Sequence, residues 1–256
     1  MKTKLPLLLW AVFATVGSSV SACAAELMVA AAADLKFALD ELRRDYVAAH
    51  PEEPVSVVYG SSGNFYAQIG NGAPFDLYLS ADATYPRKLA EAGQALDDVF
   101  LYAIGRLVVW VPADSPLQPQ EVGGAVLLDP AVRRVAVANP AHAPYGVAAV
   151  AALRSLQLYD TVEPKLVLGE NVAQTAQFVQ SGAADVGVIA LSLALAPALR
   201  DKGRWWAVPL DAYPTMWQGG IVLRRTQLPE RARAFRAFVL GAHGREVLAR
   251  YGFSLP

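Results

Sequence analysis

Four small-residue turns carry the groups that could do chemistry in this chain. They lie at residues 31–35, 59–63, 143–146 and 169–172, each where a predicted strand gives way to a predicted helix. The start of a helix has N–H groups without an intrahelical partner and a partial positive charge. Such a turn can bind an anion without lysine or arginine. Two turns lie in each half of the chain, which predicts an anion site between two lobes.

Side chains for covalent, redox or metal chemistry form no recognisable pattern in the sequence. The three histidines, His50, His142 and His243, are far apart and lack the short spacing of metal ligands. There is no Walker A motif, no dinucleotide fingerprint and no Gly-x-Ser-x-Gly nucleophile elbow. We therefore predict a binding protein and not an enzyme, with no catalytic residues, no cofactor and no direct metal ligand.

Alternating strands and helices must position the four turns. Residues 27–32 form an apolar run typical of a buried strand, and Leu35, Leu39 and Leu42 recur behind it at helical spacing. Further strands are predicted at residues 55–59, 77–79, 107–111, 135–138, 166–168, 186–190, 206–209 and 220–223. This alternation predicts an α/β fold of mostly parallel sheets flanked by helices. Ligands of such sheets bind at the carboxyl ends of the strands, where all four turns lie.

The turns divide between two predicted lobes. Lobe 1 combines residues 25–104 with residues 209–256, and lobe 2 comprises residues 105–208. The ligand is expected in the cleft between the lobes. No sequence repeat or long linker interrupts this arrangement, and we expect the protein to be a monomer.

The first 24 residues have the layout of a secretory signal peptide. Lys2 and Lys4 precede an apolar run at residues 7–16 that is too short to span a bilayer, and small residues follow. Cleavage after Ala24 would remove Cys23, the only cysteine, so no disulfide would remain. Acylation of Cys23 as a lipoprotein is the less favoured alternative, because the first predicted strand starts only a few residues later. We expect the mature chain in the periplasm.

The charge balance argues against nucleic acid as a partner. Lys2 and Lys4 are the only charged residues among the first 24, so their removal leaves 20 basic residues against 23 acidic ones, a net charge of −3. A mildly acidic chain without a basic stripe lacks the electrostatic footprint of a nucleic-acid-binding protein. With 54% hydrophobic residues, the chain can bury a sizeable core.

Several motifs occur in the order and spacing of one known family. They are Gly60-Ser61-Ser62-Gly63 with Gln68-Ile69, Gly72-Ala73-Pro74-Phe75-Asp76 with Ser80-Ala81-Asp82, Asn139-Pro140 with Ala143-Pro144-Tyr145-Gly146, Ser181-Gly182-Ala183-Ala184-Asp185 with Gly187, and Tyr251-Gly252-Phe253. This pattern, which runs the length of the mature chain, resembles the periplasmic molybdate-binding proteins of ABC importers. The resemblance implies a two-lobed type II periplasmic binding fold. It also implies a receptor that captures molybdate, and tungstate as well, and delivers it to a membrane permease.

The resemblance further implies which groups bind the oxyanion. Neutral donors at helix starts would hold it: the hydroxyl and N–H of Ser62, the backbone N–H of Val172 and the hydroxyl of Tyr145, which matches a subgroup of the family. Neighbouring turn residues complete the predicted site: Ala33, Asp34, Ser61 and Asn171. Molybdenum would be bound only as the oxyanion.

Asp34 departs from the family pattern, which has a serine or a threonine–asparagine pair at this position. An ionised carboxylate accepts hydrogen bonds but cannot donate one, and it would repel a dianion. In the favoured interpretation, Asp34 caps its own helix, bonds the N–H near Phe37 and points away from the ligand. In the other, Asp34 faces the cleft and accepts a proton from a protonated oxyanion such as hydrogen phosphate.

Two alternatives to molybdate capture stay open at this point. One is a receptor for another tetrahedral oxyanion, such as phosphate or sulfate, and Asp34 favours phosphate. The other is a secreted enzyme on a similar two-lobed scaffold, which the missing nucleophile–base pair and metal cluster disfavour.

Overall fold

Two five-stranded sheets form the framework of the protein. The computed structural model describes residues 25–256, so the predicted signal peptide and Cys23 lie outside the described residues. The strands of the first sheet come from residues 27–105 and 216–222, and those of the second from residues 107–207. The chain thus crosses to the second sheet after residue 105 and returns before residue 216.

Ten strands are assigned in the part of the chain that the structure describes. They are β1 Leu27–Ala32, β2 Val55–Gly60, β3 Leu77–Ser80, β4 Phe100–Gly105, β5 Leu107–Pro112, β6 Val135–Ala138, β7 Leu166–Gly169, β8 Val186–Ala190, β9 Gly203–Ala207 and β10 Met216–Val222. The order is β2-β1-β3-β10-β4 in the first sheet and β7-β6-β8-β5-β9 in the second.

Helices cover both sheets. The α-helices are α1 Lys36–Ala49, α2 Ser62–Gly70, α3 Thr84–Glu91, α4 Pro119–Val122, α5 Pro144–Ser155, α6 Tyr159–Val162, α7 Val172–Gln180, α8 Leu191–Ala194, α9 Pro229–Leu240 and α10 Ala242–Arg250. Three short 3-10 segments lie at Ala33–Leu35, Gly123–Leu128 and Glu163–Lys165. Within residues 25–256, no helix combines the length and the apolar character needed to cross a membrane.

Each sheet joins a parallel half to an antiparallel half. β1 pairs in parallel with β2 and β3, whereas β10 runs antiparallel to β3 and β4. In the second sheet, β6 pairs in parallel with β7 and β8, and β5 runs antiparallel to β8 and β9. The sheets are therefore mixed rather than mostly parallel. The antiparallel pairs all involve β4, β5, β9 or β10, the strands that flank the two crossings between the sheets.

Buried strands and amphipathic helices bring the turns into position. β1, β3, β6 and β8 are buried along nearly their whole length, as expected for strands covered on both faces. α1 buries Leu39, Leu42 and Tyr46 at helical spacing against the first sheet. β1, β2, β6 and β7 each end at one of the four turns. The turns therefore lie at the carboxyl ends of parallel strands, as the sequence predicts.

Candidate anion-binding site

The four turns, two from each sheet, surround one small cavity. All seven predicted site residues line it, together with Ala32, Gly60, Ala81, Ala143 and Pro144. The cavity volume is about 10 Å³, which is near the minimum that holds one water molecule. A tetrahedral oxyanion is larger than a water molecule, so its binding requires the turns to move apart slightly from this arrangement.

Ser61 and Ser62 form the start of α2. Ser61 is the N-cap, and its Oγ accepts a long hydrogen bond of 3.4 Å from the N–H of Asn64. The Oγ of Ser62 accepts a hydrogen bond from the N–H of Ala81 at 2.9 Å. The backbone carbonyl oxygen of Ser62 accepts one from the Tyr78 hydroxyl at 2.7 Å. Neither bond uses the hydroxyl proton of Ser62, which can be donated to a ligand.

Asn171 and Val172 form the start of α7 in a similar way. The Oδ1 of Asn171 accepts the N–H groups of Ala173 and Gln174, both at 3.0 Å. This side chain is therefore occupied as the cap of its own helix. The N–H of Val172 stands at the first helical position, ahead of the first intrahelical hydrogen bond, and Val172 lines the cavity.

The start of α5 brings Tyr145 into the cavity. Pro144 opens the helix at a position where a missing N–H costs no hydrogen bond. Gly146 allows a close approach to β6, since a Cβ there would lie 2.1 Å from the carbonyl oxygen of Ala138. The Tyr145 side chain is buried, and its hydroxyl donates to Oδ2 of Asp34 at 3.0 Å. Tyr145 thus connects the second sheet to a residue that follows β1 of the first.

Asp34 does not cap a helix, so the favoured sequence interpretation of this residue is wrong. The segment Ala33–Leu35 forms a 3-10 turn without a side-chain cap, and α1 begins only at Lys36. Asp34 therefore lies inside a turn, where its carboxylate meets donors from other elements. Its Oδ2 accepts Nε2 of Gln218 at 2.6 Å as well as the Tyr145 hydroxyl.

Burial makes the Asp34 carboxyl an unusual group. The residue is 1% exposed, and desolvation raises its pKa to about 6, against the lowering effect of the bonds from Gln218 and Tyr145 and of the nearby backbone N–H groups of Asp34 and Leu35. Its Oδ1 has no hydrogen-bond donor among the described residues. Two like unit charges about 4 Å apart repel by roughly 4 kcal/mol at an effective dielectric constant near 20. An ionised Asp34 would therefore weaken the binding of any anion in this cavity.

A second group of polar contacts joins the two lobes beside the cavity. The Nδ1 of His142 lies 2.9 Å from Oγ of Ser61, and the carbonyl oxygen of His142 accepts the N–H of Gly63 at 2.9 Å. The Nε2 of His142 lies 3.6 Å from Oε2 of Glu170, and the other carboxylate oxygen, Oε1, accepts a hydrogen bond from Nδ2 of Asn64. These contacts hold the start of α2 against the turns that follow β6 and β7.

Gln218, His142 and Glu170 are not among the predicted site residues. A signal exists for Gln218, because it is a polar residue inside an otherwise apolar strand, and it is fully buried. Buried polar side chains of this kind are almost always hydrogen-bonded. Glu170 lies inside the fourth predicted turn and His142 directly before the third, but neither residue type marks a contact between the lobes. Their contacts depend on how the lobes meet.

A larger groove adjoins the cavity and shares Ala81 and Pro144 with it. Its volume is about 290 Å³, and both lobes line it. Val147, on α5 of the second lobe, and Trp217, on β10 of the first, are 53% and 43% exposed. The groove therefore connects the cavity to solvent between the lobes.

The sequence and the fold match proteins of known class. The family described as bacterial extracellular solute-binding protein matches residues 27–254. The molybdate-binding protein ModA of Azotobacter vinelandii is 36% identical over 93% of this chain and 95% of its own length. ModA of Rhodobacter capsulatus is 34% identical over 93% of this chain and 91% of its own length.

A solved structure agrees with these relatives. The periplasmic molybdate-binding protein of Azotobacter vinelandii is 34% identical, with a TM-score of 0.83 over 90% of this chain and 99% of that chain. The match confirms the predicted two-lobed α/β fold, and the family consists of solute-binding proteins rather than enzymes. The chain therefore belongs to the bacterial extracellular solute-binding proteins, in the family of the periplasmic molybdate-binding proteins.

Proposed function

We propose that this protein captures molybdate, and tungstate as well, and delivers it to the membrane permease of an ABC importer. One observation carries the proposal. The seven residues that the family resemblance assigns to the oxyanion all line one cavity between the lobes, and neither lysine nor arginine is among its lining residues. A cavity of neutral donors suits a dianion that must be held without a fixed counter-charge. The names of the relatives support molybdate as the ligand.

The donors come from four turns. The hydroxyl of Ser62, the N–H of Val172 and the hydroxyl of Tyr145 are the main contacts, and the N–H groups of the turn at Ala33 add to them. Ser61 and Asn171 support these donors by capping the helices behind them. In this proposal the Tyr145 hydroxyl, which has one proton to donate, donates it to the anion in the loaded protein instead of to Asp34.

Capture follows from the two-lobed architecture. In an open form the turns of each lobe are hydrated separately. The anion then bridges the turns of both lobes, and its hydration shell is replaced by donors whose directions are already fixed. Closure is a population shift that the anion drives through its higher affinity for the closed form. A smaller anion such as sulfate would not reach every donor at once, so cavity size would set the selectivity.

Phosphate is the second candidate ligand, and the buried Asp34 is the observation that favours it. The P–O–H group of hydrogen phosphate could donate a hydrogen bond to an ionised Asp34 carboxylate, whereas molybdate near neutral pH has no proton with which to do so. Phosphate capture would leave Asp34 ionised in the loaded protein. Molybdate capture requires a different state of this residue.

Export and assembly form part of the proposal. We propose cleavage after Ala24, a periplasmic location and a monomeric receptor that binds no nucleic acid. Lobe 1 would comprise residues 25–104 with residues 209–256, and lobe 2 residues 105–208, so that the crossings at residues 104–105 and 208–209 act as the hinge. The first of these boundaries falls at the end of β4, which a single residue separates from β5.

Isothermal titration calorimetry of the exported, anion-stripped protein tests the ligand. Molybdate, tungstate, sulfate and phosphate are titrated separately at neutral pH. The proposal expects tight binding of molybdate and tungstate and weak or no binding of the other two. Tight phosphate binding without molybdate binding would replace the first candidate by the second. No binding of any of the four would remove both.

A further inference from the structure

We propose that Asp34 is a protonated carboxylic acid in the anion-loaded protein and donates a hydrogen bond to the oxyanion. The proton comes from solvent and is taken up as the anion binds, so one proton enters the cavity with each dianion. The inference rests on the proposed function, because it concerns the same cavity. It gives Asp34 the role of a ligand that couples anion capture to pH.

The geometry around the carboxyl leaves one oxygen for this role. The Oδ2 of Asp34 accepts both the Tyr145 hydroxyl and Nε2 of Gln218. The Oδ1 has no donor among residues 25–256, although Asp34 lines the cavity and is almost completely buried. A buried acceptor without a partner is unfavourable. Protonation at Oδ1 converts this oxygen into a hydrogen-bond donor. An oxyanion in the cavity can accept that hydrogen bond.

The elements packed around Asp34 offer no cation to compensate its charge. On α5 and β4 the facing groups are Tyr145 and Tyr102, whose pKa values burial raises well above the ordinary value, so both are neutral. β2 contributes Tyr59, which donates to Asp40 at 2.8 Å, and burial raises its pKa as well. On α1, the nearest lysine is Lys36, whose Nζ lies 3.5 Å from the same Asp40.

The remaining neighbours are neutral. α7 and α8 carry no charged side chain. Ser192 on α8 donates to the backbone carbonyl oxygen of Asp34 at 2.8 Å rather than to its carboxylate. β10 contributes only the amide of Gln218. His142 lies beside the cavity as well, where its Nδ1 contacts Ser61 on the opposite wall.

Because no cation faces Asp34, a dianion in the cavity would meet an unscreened carboxylate if Asp34 stayed ionised. A proton removes that repulsion and adds a donor at the same time. Burial already raises the Asp34 pKa to about 6 in the ligand-free protein, and the dianion would raise it further. Above that pH, each bound anion must bring its proton from solvent. The affinity for molybdate should therefore fall about tenfold per pH unit.

Calorimetry with molybdate alone tests the inference on the exported protein. Titrations at about pH 8 in two buffers of different ionisation enthalpy give the number of protons taken up, which we expect to be close to one. A pH series should show constant affinity below about pH 6 and a tenfold loss per unit above it. Molybdate binding with no proton uptake and a flat profile would overturn the inference and leave the proposed function standing.

Three variants assign the proton to a residue. Asp34→Asn supplies an amide N–H in place of the acid, so we expect molybdate binding with no proton uptake and no pH dependence. Asp40→Asn, which removes a carboxylate on the neighbouring α1, should keep the wild-type uptake. His142→Gln should keep it as well. Uptake that persists in Asp34→Asn and disappears in His142→Gln would overturn the inference.

The wild-type experiment does not depend on the folding of any variant. Failure of molybdate to bind at about pH 5, where Asp34 is already largely protonated, would remove the proposed function and this inference together. Phosphate binding with no proton uptake would show that an ionised Asp34 accepts a hydrogen bond from the ligand, which also contradicts the inference. The three failures thus give distinct calorimetric results.

Discussion

The two sides of the cavity are built on different chemistry. On one side, the starts of α2 and α7 present neutral donors. Ser61 and Asn171 cap these helices, and each accepts hydrogen bonds from backbone N–H groups no more than three residues away. On the other, Asp34, Tyr145 and Gln218 meet from positions 111 and 184 residues apart. The first side is organised mainly by local hydrogen bonds, and its donors are neutral. The second is organised by tertiary contacts and holds a buried acid, which can make binding and stability depend on pH.

Replacing Asp34 with a neutral residue should have the largest effect on the difference between the two sides of the cavity. The folded-state pKa of Asp34, about 6, lies above the ordinary value of 3.8. Below both values the carboxyl is protonated in both states and has no effect on stability. As the pH rises from 3.8 to about 6, Asp34 ionises in the unfolded chain before it ionises in the folded protein. The free energy of unfolding therefore falls over this range and stays constant above about pH 6. At 1.36 kcal/mol per pKa unit, the loss is up to about 3 kcal/mol.

Asp34→Asn abolishes this loss, because the amide is neutral at every pH. Relative to wild type, its free energy of unfolding without ligand should therefore rise by up to about 3 kcal/mol between pH 4 and 7. Urea unfolding at several pH values measures the difference. Asp40→Asn is the matched control and should show no such trend. Parallel curves for Asp34→Asn and wild type would contradict the burial argument.

Ser62→Ala weakens the neutral side and should cost about 1–3 kcal/mol of anion-binding free energy, as expected for a lost hydrogen bond to a charged group. It also leaves the N–H of Ala81 without its acceptor, so stability should fall as well. Ser61→Ala is the comparison, since the Ser61 hydroxyl caps α2 through a long bond and contacts His142. Affinity from calorimetry and stability from urea unfolding separate the two effects. Unchanged affinity in Ser62→Ala would remove this residue from the site.

Gly63→Ala should obstruct closure while leaving each lobe folded. A Cβ on Gly63 would lie 2.6 Å from the carbonyl oxygen of His142 in the other lobe. We expect the anion-binding free energy to become less favourable by about 1–2 kcal/mol, in the lower part of the range for overpacking. The cost stays low because a slightly wider separation of the two lobes can relieve the clash. Gly70→Ala, at the other end of α2, is the control, since nothing lies within 4 Å of its added Cβ. Equal affinities for the two variants would mean that binding needs no close contact here.

His142→Ala should have the smallest effect. His142 and Glu170 are 20% and 54% exposed at their side chains, so their pairing is screened by solvent. We expect a loss of anion affinity of about 0.2–1 kcal/mol, from calorimetry at neutral pH. Asn64→Ala, which removes the other partner of Glu170, should behave alike. A loss as large as that of Ser62→Ala would move His142 from a lobe contact to a ligand.

The strands show how far local pattern reaches. The strands β1, β6 and β8 match the predictions residue for residue, and most others agree within two residues. β4 was not predicted, although Phe100–Gly105 is largely apolar, because no turn signal separates it clearly from β5. Nor does the sequence indicate that β10 lies between β3 and β4 in antiparallel orientation. Strand order is a long-range property, and periodicity contains no information about it.

The candidate site also has features that the local sequence predicts and features that it does not. The turns, their caps at Ser61 and Asn171, and the placement of both at strand ends follow from residue types a few positions apart. Asp34 shows the limit of that reasoning, because an aspartate before an apolar helix is usually its cap. Here Asp34 lies inside the 3-10 turn Ala33–Leu35 and not at the helix start. Its carboxylate accepts hydrogen bonds from Tyr145 and Gln218 instead of from the N–H groups of its own helix.

The sequence by itself determined that this protein has alternating strands and helices, four helix starts suited to an anion and a family of solute-binding relatives. These properties depend on neighbours within a few residues, which the chain order preserves. Only the tertiary structure decided which turns share a cavity, which side chains meet across the lobes and which carboxyl loses its water. Desolvation depends on every atom packed around a group, and those atoms come from distant parts of the chain. The buried acid beside an anion site is therefore a property of the fold and not of any motif.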